Sequence, residues 1–395
     1  MTEHGVADLR SVDDAERAHR IASVGAPDIA YGCGLLPPRP GDSVVGMRAA
    51  VFHGPRDIRV EEVPEPTVGP GQVLIEVSRN GICGSDLHTY VGSSTGGASM
   101  HVAGVVLGHE FAGVVRGAGA GVHDLPEGTI VAVAPIEWCG GCWPCQQGWP
   151  NLCRRLAIYG GYRLPLHGGL APMVAVSRRA AFVVPAGLDA VAAALTEPVA
   201  VAVHAVRRAP LPLGASVMVL GAGPIGLAVL QCVRAVGAGV TIVTDLSVAR
   251  REAAARLGAA TVIDPAAGQP SAAARDLTGH GVDVVFDTTG ADAAVDDGIG
   301  ALRQRGTLVS VAGWQQRAQL DMGRLMAKEI DVRFTMTYDP AVDFPVALRM
   351  LATEAVDAGA MISDDIPVDA LVERGLEELL HHPDQHVKIL VDPSR

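Results

Sequence analysis

The stretch "SVMVLGAGPIG", residues 216–226, is a short apolar run followed at once by glycines in the order Gly-x-Gly-x-x-Gly. An apolar strand, such a turn and a following helix together bind the pyrophosphate of a dinucleotide. The first glycine permits the tight turn, the second lets the backbone approach the phosphates, and the third lets the helix pack close to the strand. We therefore predict that a dinucleotide contacts Gly221, Gly223, Pro224, Ile225 and Gly226.

The segments after this turn alternate between apolar strands and helical stretches, which predicts a parallel, doubly wound sheet. The second strand ends at Asp245, where a carboxylate can accept hydrogen bonds from the adenosine ribose and repel a 2′-phosphate. This arrangement favours NAD over NADP, although Arg250 and Arg251 follow closely in the sequence and keep NADP open. We expect residues 198–339 to form an NAD-binding domain, with Arg250 as a further contact to the cofactor.

Length and composition restrict the possible functions. A chain of 395 residues exceeds what one hydrophobic core normally serves, which predicts more than one domain. The net charge of −12 argues against a nucleic-acid partner. No apolar run is long enough for a membrane span, and residues 1–30 carry charges throughout, so we expect neither a membrane segment nor a secretory signal. These features predict a cytoplasmic protein, in which clustered cysteines hold metal more often than disulfides.

Residues 1–46 differ from the rest of the chain because they show no sustained hydrophobic period and end in a Pro/Gly-rich stretch. We predict a flexible extension, or a start assigned too early with the true beginning near Met47. Cys33, which lies in this segment, is expected to be an unligated thiol.

From Met47 onward, short alternating runs are separated by Gly and Pro, a pattern typical of strands and turns. The run "HVKILVD", residues 386–392, is interpreted as a strand that returns to this first domain. We therefore expect a β-rich domain formed by residues 47–197 and 340–395.

Four of the seven cysteines lie in the stretch "CGGCWPCQQGWPNLC", residues 139–153. Three thiols at this spacing can converge on a folded loop, and the fourth can complete a tetrahedron around zinc. Four protein ligands leave no position for a substrate, so this site would be structural. An iron–sulfur cluster and a thiol–disulfide pair are the alternatives, but the long final gap and the missing Cys-Pro step disfavour the cluster. The predicted structural ligands are Cys139, Cys142, Cys145 and Cys153.

A second set of metal-binding side chains lies earlier in the chain. Cys83 is supplied by "GICGSDLHTY", residues 81–90, and "GHEFAG", residues 108–113, supplies His109 and Glu110. A thiolate, an imidazole and a carboxylate are the mixed ligands of an open catalytic zinc site. Each residue alone is equally consistent with ordinary packing, so the prediction depends on their occurrence together with the cysteine cluster and the glycine-rich turn.

The ordered set "GICGSDLH", "GHEFAGVV", the four-cysteine segment, "EPVAVAVHAV" and "VLGAGPIG" resembles the zinc-dependent medium-chain alcohol dehydrogenase family from Met47 onward. Within it, "TEPVAVAVHAVRRA" and "GTLVSVAGW" resemble the polyol and diol branch, which includes sorbitol and (R,R)-2,3-butanediol dehydrogenases. The resemblance implies an α/β fold with a GroES-like β-rich catalytic domain and a doubly wound Rossmann domain. It also implies NAD, two zinc ions per chain and reversible oxidation of a secondary alcohol, diol or polyol, with 2,3-butanediol the expected substrate.

The resemblance implies roles for particular residues. Cys83 and His109 would bind the catalytic zinc, and the third ligand would be an acid, either directly or through water. Ser85 would accept the hydroxyl proton of the substrate, and His88 would pass it towards solvent. Asp86 would orient neighbouring groups, and His204 is expected to be packed or to lie beside the cofactor. The acids available to the zinc are Glu110, which would also take part in catalysis, and Glu197.

Other functions stay open at this point. Threonine or aldose dehydrogenases of the same family are the main alternative, and a non-catalytic zinc-containing regulatory protein is a further one. The family resemblance also implies a homodimer or homotetramer built through the edge of the nucleotide-binding sheet.

Overall fold

The computed structural model describes residues 46–93 and 101–395. The predicted N-terminal extension, with Cys33, lies outside the described residues except for Gly46, at which the first strand begins. The predicted fold class is confirmed, because a β-rich part is joined to a part built on a parallel sheet covered by helices.

The β-rich part begins with strands whose side chains alternate between buried and partly exposed positions. In the third of them, Gln72–Gly81, every second residue from Val73 to Val77 is buried, as expected for an antiparallel strand with one face on the core. The strands of this part are β1 (Gly46–Gly54), β2 (Asp57–Pro64), β3 (Gln72–Gly81), β4 (Val105–Val106), β5 (Glu110–Ala118), β6 (Ile130–Val133), β7 (Ile136–Glu137), β8 (Ala157–Ile158), β9 (Met173–Ser177) and β10 (Ala181–Val183).

The second part contains a parallel sheet with the strand order β13-β12-β11-β14-β15-β16. All residues of its central strand Ser216–Leu220 are buried, because helices cover both faces of a parallel sheet. The order reverses between β11 and β14, and ligands of such sheets bind beyond the strand ends at this point. The strands are β11 (Ser216–Leu220), β12 (Val240–Thr244), β13 (Thr261–Ile263), β14 (Val282–Asp287), β15 (Leu302–Ser310) and β16 (Asp331–Phe334).

The α-helices of the described residues include one, Thr196–Arg208, whose buried face belongs to a hydrophobic cluster drawn from both parts. Pro198 lies in the first turn of this helix, where a missing backbone N–H costs little. No helix in the described residues is long and apolar enough to cross a membrane. The helices are α1 (Gly84–Val91), α2 (Trp143–Gln146), α3 (Ala190–Ala193), α4 (Thr196–Arg208), α5 (Pro224–Ala235), α6 (Val248–Arg256), α7 (Pro270–Thr278), α8 (Asp292–Ala301), α9 (Met322–Lys328), α10 (Asp343–Ala352) and α11 (Glu378–His381).

The chain then returns to the β-rich part through β17 (Ile362–Pro367) and β18 (Lys388–Asp392). These strands complete a sheet in the order β10-β6-β5-β3-β18-β17, with β9 paired to β3. The run "HVKILVD" thus supplies β18, antiparallel to β3. The parallel sheet lies inside the predicted nucleotide-binding domain of residues 198–339, whose limits stay a prediction.

Candidate active site

Three metal-binding side chains meet where β3 and β5 pair. The register places Gly81 opposite Glu110, and Cys83 follows two residues later, while His109 directly precedes Glu110. The Cys83 sulfur, a His109 ring nitrogen and a Glu110 carboxylate oxygen all lie within 4.8 Å of one another. A Cβ atom at Gly81 would lie 2.2 Å from a Glu110 oxygen, so any larger residue here would displace the Glu110 carboxylate. Strand pairing therefore assembles the donor set predicted from the sequence.

Asp86 orients two of these ligands from the first turn of α1. One of its oxygens accepts a hydrogen bond from the Cys83 backbone N–H at 2.9 Å, and the other lies 3.5 Å from Nδ1 of His109. A carboxylate at one ring nitrogen fixes the tautomer and leaves the other nitrogen for a metal. Nε2 of His109 is accordingly the donor that this arrangement makes available.

The donor chemistry fits zinc. A thiolate, an imidazole and a carboxylate are ligands of catalytic zinc sites, and three protein ligands leave a fourth position for substrate or water. The residues that would hold the ion are Cys83, His109 and Glu110.

Lys388, the first residue of β18, is a member of the site that sequence reasoning missed. Its Nζ donates to both carboxylate oxygens of Glu110, at 2.8 and 2.6 Å, and to the carbonyl of Ile82 at 2.9 Å. The lysine and glutamate side chains are only 2% and 1% exposed. Burial alone would lower the pKa of Lys388, but the charge of Glu110 raises it above its ordinary value. The one signal in the sequence was a charged residue at the head of an apolar strand.

Glu197 lies beside the donor set but is not one of the three residues that converge within 4.8 Å. Its pKa is raised to about 7, mainly because the carboxyl group is buried, and the nearby charges of His109 and Lys388 oppose that rise. The buried Tyr338 hydroxyl makes no hydrogen bond of ordinary geometry within the described part of the chain. Burial and the neighbouring charge of Glu197 together raise the pKa of Tyr338. Tyr338 is a second neighbour that the sequence did not predict.

The four clustered cysteines form a separate group. One donor atom from each lies within 4.8 Å of the others, and three of the sulfur pairs are separated by 3.5, 3.7 and 3.5 Å. A tetrahedral zinc with Zn–S bonds of about 2.3 Å requires sulfur separations of about 3.8 Å. Backbone N–H groups of Cys139 and Arg155 donate to the Cys153 sulfur, which stabilises a thiolate. The arrangement fits a closed site for one zinc ion formed by Cys139, Cys142, Cys145 and Cys153.

The glycine-rich turn has the geometry that its sequence predicted. Gly221 adopts φ = 91°, a conformation that favours glycine. A Cβ atom at Gly226 would lie 1.9 Å from the Gly221 carbonyl oxygen, so the third glycine permits the close approach of helix and strand. Helix α5 starts at Pro224, directly after Gly223, and its first turn also contains Ile225. The positive end of the helix dipole therefore faces the turn.

Asp245 directly follows β12 and is tied to this turn. One carboxylate oxygen accepts a hydrogen bond from the Ala222 backbone N–H at 2.7 Å, and the other accepts one from the Ser247 N–H at 2.8 Å. The carboxylate is thus held beside the glycines, at the carboxyl end of the parallel strands.

Comparison with known proteins agrees with this geometry. The alcohol dehydrogenase GroES-like domain matches residues 69–186, and the zinc-binding dehydrogenase domain matches residues 224–353. The sorbitol dehydrogenase of Bacillus subtilis (strain 168) is 32% identical over 351 residues, which cover 88% of this chain and 98% of that protein. This chain belongs to the zinc-binding medium-chain dehydrogenases.

Solved structures agree with the assignment. The 2R,3R-butanediol dehydrogenase from Bacillus subtilis superposes with a TM-score of 0.80 at 34% identity, covering 88% of this chain and 99% of that one. A putative zinc-binding dehydrogenase from Sinorhizobium meliloti 1021, bound to NADP, superposes with a TM-score of 0.81 at 31% identity, covering 88% and 100%. The predicted family is confirmed, and the chain is a zinc-dependent dehydrogenase of small alcohols or polyols that uses a nicotinamide cofactor.

The dehydrogenase carries the two predicted proton-transfer residues on α1. Ser85 Oγ lies 3.3 Å from His109 Nε2, which places the hydroxyl at the metal-binding group. His88 is one turn further along the helix, and its Nδ1 lies 3.4 Å from Ser93 Oγ. Burial lowers the pKa of His88, which favours the neutral ring that can accept a proton. The structure thus brings Ser85 to the donor set and places His88 one turn away.

His101 is a further histidine near the dehydrogenase's donor set, and sequence reasoning did not single it out. Its Nδ1 lies 3.1 Å from Thr89 Oγ1, and its ring makes edge contacts with Phe52 and Tyr162. Burial lowers its pKa, and the nearby charge of Asp86 opposes that effect. A lone histidine in a loop of small residues carried no signal that could have revealed this position.

Arg250 of the dehydrogenase lies beside the glycine-rich turn, since a Cβ atom at Gly223 would be 3.9 Å from its Nη1. Its Nη2 donates to the carbonyl of Pro383 and lies 3.5 Å from that of His386. Arg251 instead donates to the carbonyls of Asp245 and Leu246. The carbonyls of the β-rich part therefore hold the guanidinium of Arg250 at the nucleotide-binding edge.

Proposed function

We propose that this dehydrogenase oxidises a secondary alcohol group of a diol or polyol to the ketone, reversibly, and uses NAD as the hydride acceptor. The expected substrate is 2,3-butanediol, in line with the relative of that name. The observation that carries the proposal is the convergence of Cys83, His109 and Glu110 within 4.8 Å, with the Ser85 hydroxyl beside them.

The proposal includes two zinc ions per chain, one at this donor set and one at the four clustered cysteines. When bound, the catalytic zinc would supply positive charge that lowers the pKa of a substrate hydroxyl from its high aqueous value towards neutrality. Ser85 is placed to accept the released proton, and His88 to pass it towards solvent. Asp86 holds the backbone of Cys83 and the ring of His109 in the orientation that both ligands need.

The two acids are proposed to have different roles. Glu110 is the acid that shares the donor set, so we assign it as the direct ligand. Glu197, with a pKa raised to about 7 by burial, would act through a water molecule and exchange a proton near neutral pH. Lys388 donates to both carboxylate oxygens of Glu110 and so fixes their position.

A substrate panel tests the proposed activity. The zinc-loaded protein is mixed with NAD and with 2,3-butanediol, sorbitol, threonine or glucose, and the appearance of NADH fluorescence is followed. We expect the highest kcat/KM with 2,3-butanediol. A preference for threonine or an aldose would assign the sister activity instead, and no NADH with any alcohol despite bound zinc would favour a non-catalytic protein.

Replacing Asp86 with asparagine tests its orienting role. Asp86→Asn keeps the size of the side chain but removes the charge that faces His109 Nδ1. Loss of such an outer partner typically costs about 10- to 100-fold in metal affinity or activity. We expect a loss of this size in zinc affinity, measured by competition with a chelator, and in kcat/KM. Zinc affinity equal to that of the unchanged protein would remove Asp86 from the proposal.

Replacing Asp245 with asparagine tests the choice of NAD. The proposal assigns the ribose of the adenosine to the Asp245 carboxylate, with Arg250 at the same edge. A hydrogen bond to a charged group contributes about 1.5–3 kcal/mol, so Asp245→Asn should lower kcat/KM with NAD about tenfold or more. Because the change also removes repulsion of a 2′-phosphate, kcat/KM with NADP should rise. An unchanged ratio of the two values would exclude Asp245 as the discriminating residue.

The assembly and the location of the dehydrogenase are proposals as well. We propose a homodimer or homotetramer built through an edge of the parallel sheet, to be checked by light scattering. We propose a cytoplasmic location, because a four-cysteine zinc site requires reduced thiols. We propose no nucleic-acid or membrane partner, in keeping with the net charge of −12.

A further inference from the structure

A cavity of about 520 Å³ lies between the cysteine-rich segment, the last turns of α4 and the end of β16. It shares no lining residue with the metal-binding group or the glycine-rich turn. Its volume falls in the range of about 300–1,000 Å³ typical of sites for small molecules. The side chains that define it include Trp149, Asn151, His204, Arg207, Arg208 and Arg333.

The cavity carries an excess of positive charge in a chain whose net charge is −12. Three arginines line it against a single aspartate, Asp339. Arg207 forms an ion pair with Asp343, which does not itself line the cavity. Arg208 and Arg333 form no ion pair with any carboxylate in the part of the chain that the structure describes. The Nη1 of Arg333 donates only to the backbone carbonyl of Arg208, at 2.7 Å. Two guanidinium groups are thus left with charge to offer a ligand.

His204 is held in a fixed orientation at the wall of this cavity. Its Nδ1 lies 2.7 Å from a carboxylate oxygen of Asp343, whose side chain is fully buried. The same carboxylate accepts a hydrogen bond from the Asp339 backbone N–H at 2.8 Å. Because the ring lines the cavity and Nδ1 is engaged behind it, Nε2 is the nitrogen that a ligand can reach. The sequence analysis expected His204 to be packed or to lie beside the cofactor, and the structure places it in the lining of this cavity.

The remaining walls suit a small organic ligand. Trp149 is 45% exposed and offers an aromatic face, while Asn151 is buried and anchored to the Met336 carbonyl through its amide at 2.8 Å. Planar guanidinium groups bind oxyanions through paired N–H donors, and they do so most effectively with phosphate and carboxylate. A phosphate group offers enough oxygens to accept from two or three arginines at once.

We propose that this cavity is a binding site for a small phosphate monoester, with Arg208 and Arg333 as the main contacts to the phosphate group. The site is separate from the catalytic centre, although helix α4 reaches both. Glu197 lies in the first turn of α4, and His204, Arg207 and Arg208 lie near its other end. A ligand here is therefore expected to bind without competing with NAD or with the alcohol.

Isothermal titration calorimetry tests this site on the full-length protein loaded with zinc and saturated with NAD, so that the dinucleotide site is already filled. Inorganic phosphate and methyl phosphate, neither of which carries an alcohol group, are the probes, and trimethyl phosphate is the uncharged control. We expect one site per chain for both probes and no binding of trimethyl phosphate. The double variant Arg208→Gln/Arg333→Gln should raise the Kd at least about tenfold, because each charge-assisted contact is worth about that factor.

Arg256→Gln is the matched control, since Arg256 is an exposed arginine on α6 whose side chain is 70% exposed. It should leave the Kd unchanged. The proposal is overturned if the unchanged protein binds no phosphate, if trimethyl phosphate binds as well as methyl phosphate, or if the double variant binds as tightly as the unchanged protein. Light scattering on the same samples gives a further outcome. If the double variant changes the number of subunits and phosphate does not bind, the arginines contact a second copy of the chain and the proposed site is wrong.

Discussion

Cys83→Ala should abolish the proposed NAD-dependent oxidation of 2,3-butanediol while leaving the fold intact. The substitution removes the only sulfur donor of the catalytic group, and zinc sites lose their ion when a protein ligand of this kind is missing. We expect metal analysis to find close to one zinc per chain instead of two, because the four clustered cysteines keep theirs. The circular dichroism spectrum should not change, since Cys83 directly precedes α1 and is only partly buried.

Cys232→Ala is the matched control for this prediction. Cys232 is buried in the hydrophobic cluster around α4 and α5, and burial raises the pKa of its thiol to about 12. It is therefore a neutral thiol that packs against apolar neighbours, and its removal should lower stability slightly but spare metal content and turnover. Full activity in Cys83→Ala, or a loss of both zinc ions, would contradict the assignment of two independent sites.

Lys388→Met should be the most destabilising of the substitutions considered. It leaves the Glu110 carboxylate buried without its partner, and breaking a buried ion pair in this way costs about 3–5 kcal/mol. We expect a decrease of this size in the free energy of unfolding of the zinc-free protein, measured by urea denaturation. Methionine matches the aliphatic part of lysine, so the effect reports the charge rather than a cavity.

A double variant shows how much of the lost stability comes from the unpaired buried charge. In Lys388→Met/Glu110→Gln no unpaired charge is buried, so most of the lost stability should return. Lys328→Met provides the matched control, because Lys328 donates to the carbonyls of Ile299, Gly300 and Leu302 but has no carboxylate partner among the described residues. It should cost less than Lys388→Met. Equal decreases in the free energy of unfolding of Lys388→Met and Lys328→Met would mean that the ion pair with Glu110 stabilises the protein no more than hydrogen bonds to carbonyl groups do.

Local patterns in the sequence were sufficient for the features formed by neighbouring residues. The glycine-rich turn needs only a strand, a turn and a helix in succession, and the four clustered cysteines lie within one short segment. Both patterns predicted the geometry that the structure shows, and the order of the motifs was enough to predict the family.

Features that depend on distant segments could not be predicted in the same way. Lys388 reaches Glu110 across 278 residues of sequence. Tyr338, which follows β16, lies close enough to Glu197 in α4 to feel its charge. His101 and His204 are single histidines whose importance appears only when the fold sets Asp86 or Asp343 beside them. Strand register and helix packing decide these contacts, and neither leaves a motif in the sequence.

The contact between β18 and β3 has a consequence for the order of folding. Strand β18 pairs with β3 and supplies Lys388, so the proposed ligands Cys83, His109 and Glu110 cannot be fully enclosed until a segment made much later in synthesis has docked. Contacts between such distant segments form slowly, because a long loop must close before they stabilise anything. In the nascent chain, Glu110 therefore has no lysine partner until β18 has been made and has docked, and we expect the ability to hold a metal at this site to be among the later properties that the dehydrogenase acquires.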